Sequence, residues 1–247
     1  MDIEKFLSQN DVIIRNCQFS CADIITEHIA LKQIILLNTV HNILLKYKYD
    51  STSGIKCELG KRHEKLKVFI KKADKHLSVI NKKNDKNKMD IFLIQNGKDI
   101  VDVCKKTIDN ISKIKYADML ERSMKNRELC IGRVDSRNIR ITDKIEIGTV
   151  KYLSYNLVEE DILNYLFKIK NKKINLNKLI KIYANLAGLS QDSEKYMQNI
   201  IKIPQESIKI WEKYSKNKKN LEPEFYLSKI KESFSYEKEI DTGRCVI

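Results

Sequence analysis

The sequence predicts a mainly α-helical protein with one small β-hairpin. Its 247 residues include only 7 glycines and 2 prolines, too few for the many turns of an all-β fold. Apolar residues recur at three- and four-residue steps over most of the chain, which is the pattern of amphipathic helices. Hydrophobic residues make up 42% of the chain, so we expect a packed core rather than a disordered polymer.

Helical segments separated by polar loops are expected in the first half of the chain. Residues 1–29 are weakly patterned, and regular helical spacing begins only at Ala30. The stretch 81–88 has no apolar residue and is expected to be a solvated loop. The other expected elements of this half are a helix over 30–47, a basic helix over 59–80, a short apolar stretch over 91–94, and helices over 97–111 and 117–125.

The second half begins with the one predicted hairpin. Residues 138–147 alternate apolar and polar side chains around a central Thr142–Asp143, which indicates two short antiparallel strands. Ser190 is a suitable N-cap for a helix that follows it. Pro204 could lie within that helix or begin a new one. The helices predicted here cover 159–170, 176–186, 192–215 and 223–239.

The chain is strongly basic, with 47 Lys and Arg against 33 Asp and Glu and a formal net charge of +14. One interpretation is an electrostatic surface for nucleic acid or another anionic partner. The alternative, which we favour, is codon bias, because Lys, Asn and Ile are abundant throughout and the arginines that read base edges are few. Two lysine clusters are expected to be solvated surface, namely Lys168, Lys170, Lys172 and Lys173, and Lys213, Lys216, Lys218 and Lys219.

The six cysteines do not form a metal-binding pattern. Cys17 and Cys21 lie four residues apart, but no second pair or nearby His completes a zinc set. We expect reduced thiols in a cytoplasmic protein. The start of the chain lacks the apolar run of a signal peptide, and no apolar stretch approaches the roughly 18–20 residues of a membrane span. Neither a cofactor, a metal nor a membrane is therefore expected.

One loop sequence suggests a family. Residues 129–141 read Leu-Cys-Ile-Gly-Arg-Val-Asp-Ser-Arg-Asn-Ile-Arg-Ile. This stretch resembles the pattern C-H-G-D-x-x-x-x-N-I-L-I of the aminoglycoside and choline phosphotransferase kinase-like superfamily. The positions that fit the pattern are Cys130, Gly132, Asn138 and Ile139, with the same spacing before the Asn.

Further segments extend the resemblance over about residues 30–240. Residues 148–162 fit the pattern I-D-F-D-Y-x-x-Y-D-L-x-x-x-D-L at Tyr152, Tyr155, Leu157 and Asp161. The segment 36–41 is similar to a family helix that ends in F-H, here at His41. Residues 204–227 resemble a narrower group, the spore coat protein S-like (CotS-like) proteins of spore-forming bacteria (Firmicutes).

The resemblance implies the helical C-terminal lobe of a protein-kinase-like fold. The nucleotide-binding N-terminal lobe would be missing or vestigial, because too few residues precede the first helix and no glycine occurs before Gly54. The expected organisation is a vestigial N-terminal segment over 1–29, a kinase-like lobe over 30–240 and a tail over 241–247.

The departures from the family pattern point away from catalysis. Phosphoryl transfer needs an acidic proton acceptor and oxygen ligands for magnesium. The family's base position is Arg133 here, which stays protonated, and its two following acidic positions are Thr149 and Lys151. Of the implied ligand set only Asn138 remains, and it is expected to brace the hairpin. His41 and Asp161 are expected to be structural, as the family implies for Asp161.

Three hypotheses of function follow. The favoured one is a non-catalytic pseudokinase-like scaffold that associates with other spore coat proteins on the mother-cell side. The second is an active small-molecule phosphotransferase that uses Asp135 or Asp143 instead. The third is a basic nucleic-acid-binding protein. A possible anion pocket is predicted around the former phosphate site, formed by Arg133, Arg137, Arg140 and Lys151.

Overall fold

Helices dominate the computed structural model, which describes residues 2–20, 24–48, 54–216 and 221–241. The predicted mainly helical character is therefore confirmed. Within these ranges the helices are α1 (Ile3–Gln9), α2 (Glu27–Leu44), α3 (Lys61–Asn81), α4 (Lys88–Ser112), α5 (Tyr116–Asn126), α6 (Val158–Ile169), α7 (Leu176–Leu186), α8 (Gln191–Ile200), α9 (Gln205–Lys216) and α10 (Pro223–Asp241).

Side-chain caps mark where several helices begin. The hydroxyl of Ser190 accepts a hydrogen bond from the backbone N–H of Ser193 at 3.2 Å, which confirms the predicted cap of α8. The hydroxyl of Thr26 accepts from the N–H of Ile29 at 3.3 Å. Because this cap precedes the apolar pattern, α2 begins before the predicted Ala30.

Of two predicted element boundaries, the one at Pro204 is confirmed and the one before Gly97 is wrong. Helix α8 ends at Ile200 and α9 begins at Gln205, so the interpretation in which Pro204 starts a new helix is confirmed. The separate apolar stretch predicted at 91–94 is wrong, because these residues lie inside the continuous helix α4. The sequence predicts a helix that begins at Gly97, but Gly97 lies in the interior of α4.

The described strands form two small sheets rather than a single hairpin. In the first sheet, β4 and β5 form the predicted antiparallel hairpin and β1 adds to β5 in parallel. In the second, β6 lies between β2, which is parallel to it, and β3, which is antiparallel. The strands are β1 (Val12–Ile14), β2 (Lys56–Cys57), β3 (Leu129–Cys130), β4 (Ile139–Ile141), β5 (Ile145–Ile147) and β6 (Ser154–Tyr155).

The chain divides into two compact units, and these bounds differ from the predicted 1–29, 30–240 and 241–247. The first unit comprises Met1–Gly60 and Ile114–Ile201, and the second comprises Lys61–Lys113 and Lys202–Ile247. The segment expected to be vestigial supplies β1 and therefore belongs to the first unit. Residues 242–247 lie outside the described part of the chain.

The helices and strands of the first unit pack around a core of mainly aliphatic side chains. Helix α2 packs on α7 and on strand β4, and α6 packs against α7, α8 and β3. The buried side chains of this core include Ile34, Leu37, Val40, Ile131, Ile139, Ile147, Ile162, Leu166, Ile180 and Tyr183.

The second unit packs helices α3, α4, α9 and α10 around Trp211. The indole ring meets Phe69 edge to face at 5.5 Å between ring centroids, and its N–H donates to Nδ1 of His76 at 2.9 Å. A Cβ at Gly97 would lie 2.9 Å from the indole Cη2 atom. The glycine inside α4 therefore makes room for the tryptophan, which explains why it does not mark a helix end.

No helix in the described residues combines the length and apolar character that crossing a membrane requires.

Candidate functional site

The loop between β3 and β4 is held by one buried carboxylate. Asp161, in the first turn of α6, accepts hydrogen bonds from the backbone N–H groups of Ile131 at 2.7 Å and Gly132 at 2.9 Å. Gly132 has a φ of +76°, and a Cβ there would lie 2.7 Å from the carbonyl oxygen of Tyr152. Only glycine fits this conformation and this close approach without strain.

A buried histidine extends this arrangement towards α7. His41 Nε2 lies 3.0 Å from Oδ2 of Asp161, and His41 Nδ1 lies 2.9 Å from the hydroxyl of Tyr183. Burial raises the pKa of Tyr183 well above its ordinary value, so its hydroxyl remains protonated. The protonated Tyr183 hydroxyl donates to Nδ1, and Nε2–H donates to the Asp161 carboxylate. His41 thereby joins three helices of the first unit.

Cys130 lies beside these groups but behaves as a protonated thiol. Its sulfur donates to the carbonyl oxygen of Leu157 at 3.0 Å, and burial raises the pKa of the thiol well above its ordinary value. The possible ligand atoms of His41, Cys130 and Asp161 lie within 4.8 Å of one another. All three already make hydrogen bonds inside the protein, so we interpret the trio as a structural cluster rather than a metal centre.

Asn138 uses its side chain to join two backbone segments. Its Nδ2 donates to the carbonyl oxygens of Arg133 at 2.8 Å and Thr149 at 3.2 Å, and its Oδ1 accepts from the N–H of Thr149 at 2.8 Å. Its own carbonyl oxygen accepts from the N–H of Gly148 at 2.7 Å. The side chain therefore ties the loop to the chain that follows β5.

The other positions of the family pattern are only partly brought together. The guanidinium of Arg133 lies 5.0 Å from the centre of the Tyr152 ring, within cation–π range. The hydroxyl of Thr149 accepts from the backbone N–H of Lys151 at 3.2 Å. The Lys151 side chain is exposed. Asn138 thus links Arg133 and Thr149 through their backbones.

A concave cleft of about 840 Å³ opens beside the loop, within the first unit. Of the predicted anion pocket, Arg133, Arg137 and Arg140 line this cleft and Lys151 does not. Asp135 is the one acidic residue of the lining among the described residues, and it pairs with Lys168 at 2.8 Å. The cationic side chains of the described lining are Arg133, Arg137, Arg140, Lys168 and Lys172.

Part of the wall of the cleft is apolar. It is formed by isoleucines from the start of α2 and the segment before it, together with residues of α6. Gln33 lies in the same lining and donates to the carbonyl oxygens of Val134 at 2.9 Å and Ile139 at 3.1 Å, which fixes α2 to the loop. The apolar residues of this wall are Ile24, Ile25, Ile29, Tyr165 and Ile169.

Glu146 is an important residue of this region that the sequence reasoning did not single out. It is only 2% exposed and accepts hydrogen bonds from Nε of Arg15 at 2.8 Å and Nε of Arg140 at 2.6 Å. Those bonds, first from Arg15 and then from Arg140, lower the pKa of Glu146. The contact to Arg140 could have been found, because a turn centred on Asp143 places residues 140 and 146 opposite each other.

The prediction that the lysines at the end of α6 and just after it are solvated is wrong at Lys170. Lys170 is 6% exposed and its ammonium lies 5.6 Å from the centre of the Phe167 ring. Lys168 and Lys172 line the cleft, and Lys173 is exposed. In the other predicted cluster, Lys218 and Lys219 lie outside the described residues.

Comparison with protein-family models gives no match for this chain, and a search of curated proteins gives none either.

Proposed function

We propose that the protein is a non-catalytic scaffold of the kinase-like class. The observation that carries this proposal is the loop 130–138, which is firmly braced but presents a cation where phosphoryl transfer needs a proton acceptor. Asp161 fixes the start of the loop and Asn138 fixes its end. The bracing fixes the shape of the loop, and the cation at its base position argues against proton transfer there.

The base position carries the first part of the argument. Arg133 remains protonated at any physiological pH, so it cannot accept a proton from a substrate hydroxyl. Its guanidinium stacks on Tyr152, an arrangement that suits a fixed cation. A magnesium ion placed beside it would meet repulsion of about 4 kcal/mol per unit charge pair at ~4 Å and an effective dielectric near 20.

The metal-ligand positions carry the second part. Asn138 already spends its amide group on the backbone of Arg133 and Thr149. Thr149 offers a hydroxyl where a magnesium site needs a carboxylate, and Lys151 adds positive charge. In the described residues, the only three His, Cys, Asp or Glu side chains that could hold one ion are His41, Cys130 and Asp161, which are buried.

The alternative with relocated acidic residues receives little support. Asp135 lies in the cleft, but it is paired with Lys168 at 2.8 Å. Asp143 is exposed in the hairpin turn and is absent from the described lining of the cleft. This alternative needs two carboxylates close to Asn138, and of these two candidates the cleft offers only Asp135.

The biological setting remains part of the proposal. Assembly with other spore coat proteins, on the mother-cell side of the forming spore, rests on the family resemblance of residues 204–227 and of the loop. A fluorescent fusion expressed in the source cells during sporulation should form a shell around the developing spore. A uniform cytoplasmic signal throughout sporulation would contradict the coat assignment.

The absence of catalysis has a direct test. Calorimetric titration with ATP and magnesium should give no magnesium-dependent binding, and incubation should release no ADP above a protein-free control. The proposal fails if ADP release is observed and is abolished by Asp135→Asn or by Asp143→Asn but kept by Glu121→Gln. Glu121→Gln is the matched control, because it removes an exposed carboxylate of α5 that neither hypothesis uses.

A further inference from the structure

We propose that the cleft beside the loop binds a small organic phosphate, meaning a phosphate ester that carries an apolar group. This inference concerns a binding activity and does not depend on the scaffold function proposed above. The volume of about 840 Å³ lies within the roughly 300–1,000 Å³ of small-molecule sites. The lining combines cationic and apolar side chains, and each group specifies one part of the ligand.

The charge of the lining specifies an anion. The described lining holds five cationic side chains and one carboxylate, that of Asp135. Asp135 is engaged by Lys168, and Glu146 lies behind Arg140. Among the described residues, neither Arg133 nor Lys172 has a carboxylate within salt-bridge distance. A concave site with this excess positive charge raises the local concentration of anions.

The arginines suit the oxygen atoms of a phosphate group. A guanidinium group presents a planar fork of N–H donors that matches two phosphate oxygens at once. Arg140 is held in place by its bond to Glu146 at 2.6 Å and by the Phe19 ring, whose centre lies 4.0 Å from the guanidinium carbon. A cation that is already ordered loses less conformational entropy when a ligand arrives. Lys172 adds a point charge at the same cleft.

The apolar wall specifies the rest of the ligand. Ile24 is 75% exposed and Ile29 is 42% exposed. Tyr165 and Ile169 also line the cleft but are buried, at 3% and 0% exposed, so the isoleucines before and at the start of α2 supply the accessible apolar surface. A ligand with an apolar group would cover this surface and so gain hydrophobic free energy. Inorganic phosphate would leave the wall in water.

The same features argue against a nucleic acid as the occupant. Nucleic-acid sites follow the phosphate backbone along an extended basic groove. Here the cations line a single concave cleft together with apolar side chains. An oligonucleotide is therefore included below as a competing outcome.

The test uses isothermal titration of the full chain with 1-naphthyl phosphate, 1-naphthol, inorganic phosphate and a ten-residue oligothymidylate. The cleft variant is the double substitution Arg133→Gln and Lys172→Gln. The matched control is Lys151→Gln and Lys181→Gln, which removes the same two charges from exposed positions absent from the described lining. Circular dichroism and thermal unfolding establish that both variants are folded. Should the double variant be unfolded, Lys172→Gln alone replaces it, because that residue is exposed.

We expect 1-naphthyl phosphate to bind the wild type and the control equally, and the cleft variant at least about tenfold more weakly. Both 1-naphthol and inorganic phosphate should bind more weakly than the ester. Equal weakening in the two double variants overturns the proposal, because binding would then follow net charge alone. No binding of the ester, or equal affinity for the ester and inorganic phosphate, also overturns it. Cleft-dependent binding of the oligonucleotide without binding of the ester assigns the site to nucleic acid and refutes a small-molecule ligand.

Discussion

The carboxylate of Asp161 lies 2.7 Å from the backbone nitrogen of Ile131, and this contact fixes the loop after β3 to the first turn of α6. The same carboxylate accepts from Gly132 and from His41. Three donors around one fully buried anion compensate for its loss of hydration. The position of the start of the loop therefore depends on a single side chain.

Asp161→Asn should strongly destabilise the first unit. An amide keeps one acceptor oxygen but presents an NH₂ group to a donor that the carboxylate had satisfied. We expect a loss of about 2–4 kcal/mol in the free energy of unfolding, measured by urea denaturation. The control Asp143→Asn changes an exposed residue in the hairpin turn and should cost less than about 0.5 kcal/mol. Equal effects of the two substitutions would show that the carboxylate does not brace the loop.

Glu146→Gln should make stability less dependent on acid pH. Hydrogen bonds from Arg15 and then Arg140 lower the folded-state pKa of Glu146 from its ordinary value of 4.5. Its charge therefore stabilises the fold above that value, and the stabilisation is lost as pH falls through the lowered folded-state pKa. The wild type should be more stable than the variant near neutral pH, and the difference should shrink as the pH falls towards about 3.

The measurement for Glu146 is urea unfolding at a series of pH values. Glu121→Gln is the matched control, because Glu121 is exposed on α5 of the same unit. Its stability curve should run parallel to that of the wild type. A constant difference between wild type and Glu146→Gln over the whole acid range would contradict the ion-pair explanation.

Arg122→Met should strongly destabilise the first unit, because Arg122 compensates the charge of two buried carboxylates. The guanidinium bridges Glu128 at 2.8 Å and Glu159 at 2.7 Å, whose side chains are 5% and 0% exposed. Removing the cation leaves two carboxylates close together without compensation. We expect a loss of about 3–5 kcal/mol in the free energy of unfolding, measured by urea denaturation.

Two comparisons separate charge from size at Arg122. Lys125→Met removes an exposed cation of the same helix and should be nearly neutral. Adding Glu159→Gln to Arg122→Met should recover part of the loss, because it removes one of the two uncompensated charges. If the double variant is no more stable than the single one, the loss comes from packing of the arginine stem instead.

Local patterns were sufficient to predict the elements whose signals lie within a few residues. The alternation around Thr142–Asp143 predicted the hairpin, because antiparallel neighbours in sequence pair through one turn. Ser190 was identified as a cap from its hydroxyl and the acidic first turn that follows it. Both predictions rest on interactions that the chain makes with itself over a short range.

The features that could not be predicted depend on partners far apart in sequence. Strand β1 pairs in parallel with β5, and nothing in the short run Val12–Ile14 specifies that partner. Arg15 reaches Glu146 only because of this pairing. The cleft likewise combines side chains from α2, the loop and α6. Its positive charge therefore could not be predicted from the spacing of the arginines alone.

Gly148→Ala should test how closely the N-terminal segment packs against the hairpin. A Cβ at this position would overlap the backbone carbonyl oxygen of Cys17 and lie 3.0 Å from Oδ1 of Asn138. Backbone cannot move aside as a flexible side chain can, so we expect a loss of more than about 2 kcal/mol in the free energy of unfolding by urea denaturation. Gly60→Ala is the matched control, since its φ of +74° is unfavourable for alanine but nothing lies within 4 Å of its Cβ. That control should cost only about 1–2 kcal/mol. If Gly148→Ala costs less free energy of unfolding than Gly60→Ala, the segment after β1 can move away from Gly148. The close packing at Gly148 then does not contribute to the stability of the loop.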